Sequence, residues 1–375
     1  MVHDLPNLSG MILLYALIAF FVSALLTYLI MPVLIRFCVA RGLFDMPNER
    51  KVHHNKIPRL GGVLFAPATM MGMATVVIIM LLHGNNNVQF GLSAVLLFVA
   101  LFLIYIIGIV DDILGLDAKI KFVVQIITAI FMPLCNLYIN NLYGFCGIYE
   151  IPVWVGYPLT VLVFLLIVNA INLIDGIDGL ASGLCVICLG VFSWAFIRLS
   201  LPYSLFTFGL LGSVLSFMYF NLFGKTERST KTFMGDTGSL ILGYSIAYFC
   251  IKYAMFNPAV VPVHVHDCPL LLSFSLVFIP VIDLIRVAIE RTCKGKGMFT
   301  PDKTHIHHLC MAAGMSMHAA LIFILCLQVI IVSANMLLFH VVGVSSTWLV
   351  MGDLLLYIFV IVFLRHQKQH TLINS

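Results

Sequence analysis

Over 375 residues, 62% are hydrophobic and only 10% charged, and the mean hydropathy is +1.09. A soluble domain is nearer half apolar and a quarter charged. That excludes a single soluble core and makes the chain an all-α, polytopic membrane protein. The net charge of +4 says little alone; where the charges lie says more.

The first apolar run, Met11 to Phe37, is too long for the hydrophobic region of a signal peptide and lacks a basic start. It is expected to be the first membrane span. At about 20 residues per span, about eleven are predicted. They cover 11–35, 61–82, 91–110, 119–137, 152–172, 178–198, 203–222, 237–256, 268–291, 319–341 and 346–364. The last is the weakest pattern, because Asp353 lies inside it. No 20–50-residue repeat, low-complexity tract or soluble domain interrupts the chain. Residues 1–375 are expected to form one integral-membrane domain.

With the N-terminus outside, all 20 Lys and Arg residues except Arg198 and Lys252 fall in or beside cytoplasmic segments. Basic residues prefer that side, and an odd number of spans then leaves the C-terminus cytoplasmic. The outer loops are short and mostly uncharged. Asn136–Ile151, with Gly144, Gly147 and aromatic residues, is expected to form a small hairpin. Of the ten cysteines, Cys185 and Cys188 read as small apolar packing residues. Cys135 and Cys146 would be able to pair only in an extracytoplasmic loop.

Five polar clusters fall on the expected cytoplasmic side. Arg50 to Gly62 is a basic segment beside the membrane, suited to anionic headgroups or to the phosphate of a lipid substrate. Asp111 and Asp112 stand at a predicted helix end, where adjacent acids are either solvated or neutralised by a cation. Asn169 to Leu180 carries two amides and two acids, each acid followed by glycine. On a helix, Asp175 and Asp178 would share a face. Phe233 to Ser239 sets Asp236 between glycines, either as the cap of the next helix or as a further carboxylate for the same site. This many hard oxygen ligands suits Mg²⁺ or Mn²⁺. The last cluster, His305, His307 and His308 behind a loop rich in Lys and Arg, invites a zinc reading. The basic surroundings favour phosphate instead.

Taken together, Asp111-Asp112, Asn169 to Leu180, Phe233 to Leu240 and Asp302 to His308 resemble the polyprenyl-phosphate N-acetylhexosamine-1-phosphate transferases. The resemblance runs in order from Leu43 to Leu309. Its HIHH form, with Asp302 ahead, is closest to the bacterial branch that transfers GlcNAc-1-phosphate to undecaprenyl phosphate. Phe44 to Gly62 points the same way. The loop before the histidines departs from that branch, because Glu290, Thr292 and Cys293 dilute its arginines.

The resemblance implies a bacterial inner-membrane enzyme with its active site at the cytoplasmic face. Its partners would be a UDP-N-acetylhexosamine, undecaprenyl phosphate, membrane lipids and a second copy of the chain, with no nucleic acid. It also implies roles for single residues. Asp236 would bind Mg²⁺ directly, with Asp175 as a second metal residue. Asp111, Asp112, Asp175 and Asp178 would be catalytic. Asn172, Lys119, Lys121, Arg291, His305, His307, His308, Lys51 and His53 would contact substrate, Lys119 more surely than Lys121.

The implied reaction moves a sugar phosphate between two anions, so charge control dominates. A covalent aspartyl-phosphate route is the minor alternative. Another UDP-N-acetylhexosamine or the muramoyl-pentapeptide donor is the alternative substrate. A nucleotide-sugar or lipid carrier is the rival class. Intramembrane charges would suit a carrier, but most of the acids sit at one face, not the midplane, and the halves show no symmetry.

Overall fold

The computed structural model describes residues 5–45, 57–84, 91–197, 199–255, 268–295, 297 and 304–374. The chain is nearly all helix. Its long elements are α1 (Leu5–Arg41), α2 (Phe65–Leu82), α3 (Leu92–Leu114), α4 (Ala118–Leu134), α5 (Val153–Ile174), α6 (Leu180–Phe196), α7 (Leu201–Phe223), α8 (Gly235–Ala254), α9 (Pro269–Cys293), α11 (Met317–Leu337) and α12 (Ser346–Asn374). A short α10 (Ile306–Ala312) lies between α9 and α11. Helices dominate because a bilayer offers the backbone no water, so every N–H and C=O must be satisfied inside its own segment.

Among the described residues, 8 helices are long and apolar enough to cross a membrane. The other three predicted spans are occupied by α4, α6 and α8. Of these, α4 and α6 have 17 residues each, and α8 carries Asp236 and Lys252 near its ends. The last predicted span is a helix after all. Asp353 is buried there, and Asn335 Nδ2 donates to its Oδ2 at 2.7 Å. That partner removes the objection a lone intramembrane acid raises.

The backbone groups into two compact units. The first gathers the described residues of Met1–Asn48, His53–Phe131 and Ser182–Ile246. Its helices α1, α2 and α7 approach closely through small residues. A β-carbon on Gly72 would lie 2.6 Å from Ala19 O, and one on Gly212 only 2.3 Å from Phe20 O. Hydroxyls close the seam: Ser23 donates to Ala68 O at 2.9 Å, and Thr27 and Ser213 hydroxyls lie 2.7 Å apart. Small residues and hydroxyl bonds are how helices associate where lipid removes the hydrophobic drive.

The segment before α2 fixes the start of α8. A two-residue ladder joins Phe44–Asp45 to Ile57–Pro58. Phe233 N–H donates to Pro58 O at 2.8 Å, and the N–H groups of Gly61 and Gly62 donate to Phe233 O and Met234 O, both at 2.9 Å.

The second unit gathers the described residues of Glu49–Val52, Met132–Ala181 and Ala247–Ser375. Asn141–Phe145 and Ile148–Glu150 form the expected hairpin. It packs through Tyr143 and Phe145 on an apolar cluster of Cys268, Leu271, Leu349 and Val350. Among the described residues, Cys135 and Cys146 form no disulfide.

Within α9, Pro280 has no N–H to give Leu276 O. Gln328 of α11 supplies it: Nε2 donates to Leu276 O at 3.2 Å and to Ser275 O at 2.6 Å, and Oε1 accepts from Ile279 N–H at 3.3 Å.

Candidate functional site

The sequence-predicted residues fall into two clusters, one in each unit. In the first unit, Asp111 and Asp112 lie in the last turn of α3, both buried. Neighbours on a helix point about 100° apart, and these two do different work. Asp111 Oδ1 accepts from Leu116 N–H at 2.7 Å and Oδ2 from Lys121 Nζ at 2.8 Å. It therefore closes the α3–α4 turn, which Gly115 makes with a left-handed φ of 70°. Asp112 points at the start of α8. It accepts from the N–H groups of Asp236 (2.8 Å) and Thr237 (3.0 Å) and from the Thr237 hydroxyl (2.6 Å). A carboxylate at a helix N-terminus satisfies the orphan N–H groups and meets the positive end of the dipole. Asp236 itself lies inside the first turn of α8, so it is not the cap.

Two glycines allow this approach. A β-carbon on Gly108 would lie 2.5 Å from Thr237 Cα. Gly235 has φ +71°, and a β-carbon there would lie 2.1 Å from Arg59 O and 2.7 Å from both Asp112 oxygens.

Lys121 Nζ lies between Asp111 Oδ2 (2.8 Å) and Asp236 Oδ1 (3.5 Å). Asp236 keeps about a third of its side chain exposed, at 34%. Two carboxylates thus share one cation at a partly open position. Lys119 does not join them. It is exposed, and its N–H donates to Asp117 Oδ1 at 3.0 Å. Two residues along a helix is a rotation of about 200°, so Lys119 and Lys121 leave α4 on opposite sides. The cluster takes Lys121, the less expected of the two.

In the second unit, Asn172 lies in the last turn of α5 and is half-buried. The helix stops at Ile174, so Asp175 and Asp178 sit in the turn before α6 and not on one helical face. Gly179 turns the chain with φ +77°. Asp175 is exposed and Asp178 half-buried.

The histidine segment packs on this turn. His307 is 1% exposed, and a β-carbon on Gly176 would lie 2.1 Å from its Nε2. Among the described residues, neither ring nitrogen of His307 has a hydrogen-bond partner. Burial, with His308 and His305 beside it, pushes its pKa down to about 3, so the ring is neutral. The His305 and His307 rings are nearly parallel at 5.9 Å, and His307 and His308 lie at 4.2 Å. Arg291 is buried near the end of α9. Lys51 and His53, like Asp302 and Lys303, lie outside the described residues.

Two residues at this segment escaped the sequence reading. Asp283 of α9 is 1% exposed and meets His305, Arg286 and Tyr357. An acid in the middle of the predicted span 268–291 was a usable signal for it. Tyr357 of α12 carried none.

Among the described residues, no three His, Cys, Asp or Glu side chains converge as a metal cage. Mg²⁺ asks for less: one or two carboxylates, with waters and substrate phosphate completing the shell. The Asp111–Asp236 pair fits that requirement, since its oxygens already flank a cation.

Residues 94–254 match the model of glycosyl transferase family 4. The chain is 34% identical over 315 residues to a probable undecaprenyl-phosphate N-acetylglucosaminyl 1-phosphate transferase of Bacillus subtilis (strain 168), covering 80% of this chain and 78% of that one. It is 30% identical over 289 residues to the undecaprenyl-phosphate alpha-N-acetylglucosaminyl 1-phosphate transferase of Yersinia pestis, covering 76% and 73%. The Escherichia coli (strain K12) protein of the same name is 29% identical over 302 residues, covering 79% and 76%.

Proposed function

The chain belongs to glycosyl transferase family 4, and from that premise we propose that it transfers GlcNAc-1-phosphate from UDP-GlcNAc to undecaprenyl phosphate. The sequence topology supports a place in the bacterial inner membrane, N-terminus out and C-terminus in, with the chemistry at the cytoplasmic face. Trp154, Trp194 and Trp348 are 78%, 69% and 72% exposed. Each sits near a helix end that this topology assigns to the outer interface, where such side chains anchor.

In the proposed reaction an oxygen of the lipid phosphate attacks the phosphorus that bears the sugar. The bond from that phosphorus to the oxygen bridging to UMP breaks, and UMP leaves with the electron pair. The sugar C–O bond is untouched, so the anomeric configuration is retained. The lipid phosphate needs no strong base, because its second pKa is about 6 and it is mostly dianionic near pH 7. The chain's task is to hold two anions together.

The observation that carries the reading is Lys121 Nζ lodged between Asp111 and Asp236. A cation site of this kind, partly open to water, is what a phosphate dianion and its counter-ion require. Asp236, with Asp111 beside it, would hold Mg²⁺, which when bound neutralises phosphate charge as a Lewis acid. Lys121 would contact phosphate. Asp112, its oxygens committed to α8, fixes where Asp236 stands. Asn172, Asp175 and Asp178 would serve the nucleotide end of the donor, and Arg291 and the histidines its sugar diphosphate.

The test is UMP release by purified protein given Mg²⁺, undecaprenyl phosphate and UDP-GlcNAc, with UDP-GalNAc and UDP-QuiNAc in parallel. Release with UDP-GlcNAc above the other donors supports the proposal. Release only with another donor moves the substrate. No release with any donor, together with UDP-sugar flux in liposomes, would favour the carrier.

A further inference from the structure

Asp283 holds the histidine segment from inside the second unit. Its Oδ2 lies 2.7 Å from His305 Nδ1. A carboxylate can only accept, so Nδ1 carries the proton, and in a neutral ring Nε2 is the nitrogen that keeps a lone pair. Oδ1 accepts from Arg286 Nη2 (2.6 Å), from Ile306 N–H (3.1 Å) and from the Tyr357 hydroxyl (2.8 Å).

The partners are themselves held. Arg286 Nη2 also donates to Thr304 O at 2.6 Å, and its Nε donates to the Tyr357 hydroxyl at 3.3 Å. Arg286 Nη1 donates to Glu290 at 2.8 Å, and Arg365 of α12 donates to the same Glu290 oxygen. The Tyr357 ring packs edge-on against Phe278.

One arginine would neutralise a buried aspartate. This group does more. It grips Thr304 through its carbonyl, His305 through its ring and Ile306 through its N–H. Three consecutive residues are fixed from one buried carboxylate and its arginine. In networks of this kind the orienting group sets the tautomer and angle of a working histidine, and the second-layer partners fix the orienting group.

We propose that Asp283, with Arg286 and Tyr357, is a positioning group that locks His305 as the Nδ1–H tautomer and presents its Nε2 as an acceptor to a hydroxyl or amide N–H of the donor's sugar. The proposal rests on the assignment of the histidine segment to the donor.

The test uses the full chain in detergent. In Asp283→Asn the amide N–H would face Nδ1 and force the opposite tautomer. A histidine held in the wrong tautomer costs a triad enzyme on the order of 10⁴ in kcat. His305 is not asked to move a proton in this reaction, so a fall on the order of 10² is expected, with KM for UDP-GlcNAc little changed. Tyr357→Phe keeps the ring against Phe278 and should lower kcat several-fold, which keeps the proposal readable if Asp283→Asn does not fold. Asp283→Asn combined with His305→Ala should be no slower than His305→Ala alone, because residues acting as a unit are not additive.

A second readout is independent of turnover. Histidine-selective ¹⁵N spectra at pH 8 should contain an Nδ1-protonated ring that is lost in His305→Ala and becomes Nε2-protonated in Asp283→Asn. Wild-type kcat in both Asp283→Asn and Tyr357→Phe, multiplying effects in the double variant, or no Nδ1-protonated signal from His305 would overturn the positioning role. If the wild type released no UMP from any donor while the ¹⁵N spectra behaved as expected, the assigned reaction would fall and the His305 clamp would stand.

Discussion

Gly176 and His307 occupy space that a single methyl group would contest: a β-carbon on Gly176 would stand 2.1 Å from His307 Nε2. Glycine is needed at that position for approach, not for an unusual φ. Gly176→Ala should cost about 1–3 kcal/mol, as overpacking does, and lower activity by displacing the ring. Removing the ring should remove the penalty, so Gly176→Ala in a His307→Ala background should unfold at the same temperature as His307→Ala alone. Thermal unfolding in detergent reads both.

The same histidine gives a pH dependence. Its folded pKa, near 3, lies below its ordinary value of 6.5. The unfolded chain therefore binds the proton more readily. His307 contributes its full stability above pH 6.5, and that contribution is lost as pH falls from 6.5 toward 3. The slope in that window is at most about 1.4 kcal/mol per pH unit. His307→Ala should flatten the stability–pH curve between pH 6.5 and 5. An unchanged slope would show that the ring does not stay neutral.

Lys121 and Lys119 make a matched pair for charge. Lys121→Gln removes the cation between Asp111 and Asp236 and should lower kcat/KM by roughly 10²–10³, the range for losing one electrostatic contact in a transition state. Lys119→Gln, on the opposite side of α4, should retain most wild-type activity. Equal losses would place both ammonium groups at the phosphate.

Asp112 and Asp111 should separate by phenotype. Asp112→Ala strands the N–H groups of Asp236 and Thr237, at about 1–3 kcal/mol for an unmet buried donor, and should lower the unfolding temperature. Thr237→Val should reproduce a smaller part of that loss. Asp111→Asn should change kcat much more than unfolding temperature, because Leu116 N–H can still donate to its amide oxygen.

Metal removal tests Asp236. Chelation should abolish UMP release, and added Mg²⁺ should restore it. Asp236→Ala should stay inactive at any Mg²⁺ concentration while remaining in the membrane fraction, since the N–H groups that open α8 are met by Asp112. Activity at a wild-type level in this variant would remove its metal role.

The legible parts of this molecule were those written in short stretches of chain. Apolar runs gave the helices, and the glycines of Asn136–Ile151 gave the hairpin. The acids at 111–112, 175–178 and 236 stood out because so few residues are charged. Roles that depend on partners far along the chain were not legible. Asp112 meets the start of α8 across 124 positions, and Tyr357 meets Asp283 across 74. No local pattern encodes those pairings. The choice between Lys119 and Lys121 depended on helix phase. Asp175 and Asp178 would share a face only on a helix, and α5 ends at Ile174, so they stand in the turn where the predicted spans 152–172 and 178–198 meet.

Proline in a helix ordinarily makes a flexible joint, since one bond is missing and nothing replaces it. In α9 the replacement comes from Gln328, a residue of another helix. Asp283 follows Pro280 by less than one turn. The direction in which that carboxylate leaves α9 is therefore a joint property of α9 and α11, and the joint is splinted from outside. Any rearrangement that straightened or sharpened α9 at Pro280 would have to break the Gln328 contacts first. The histidine segment thus hangs from a braced arm, not a hinge.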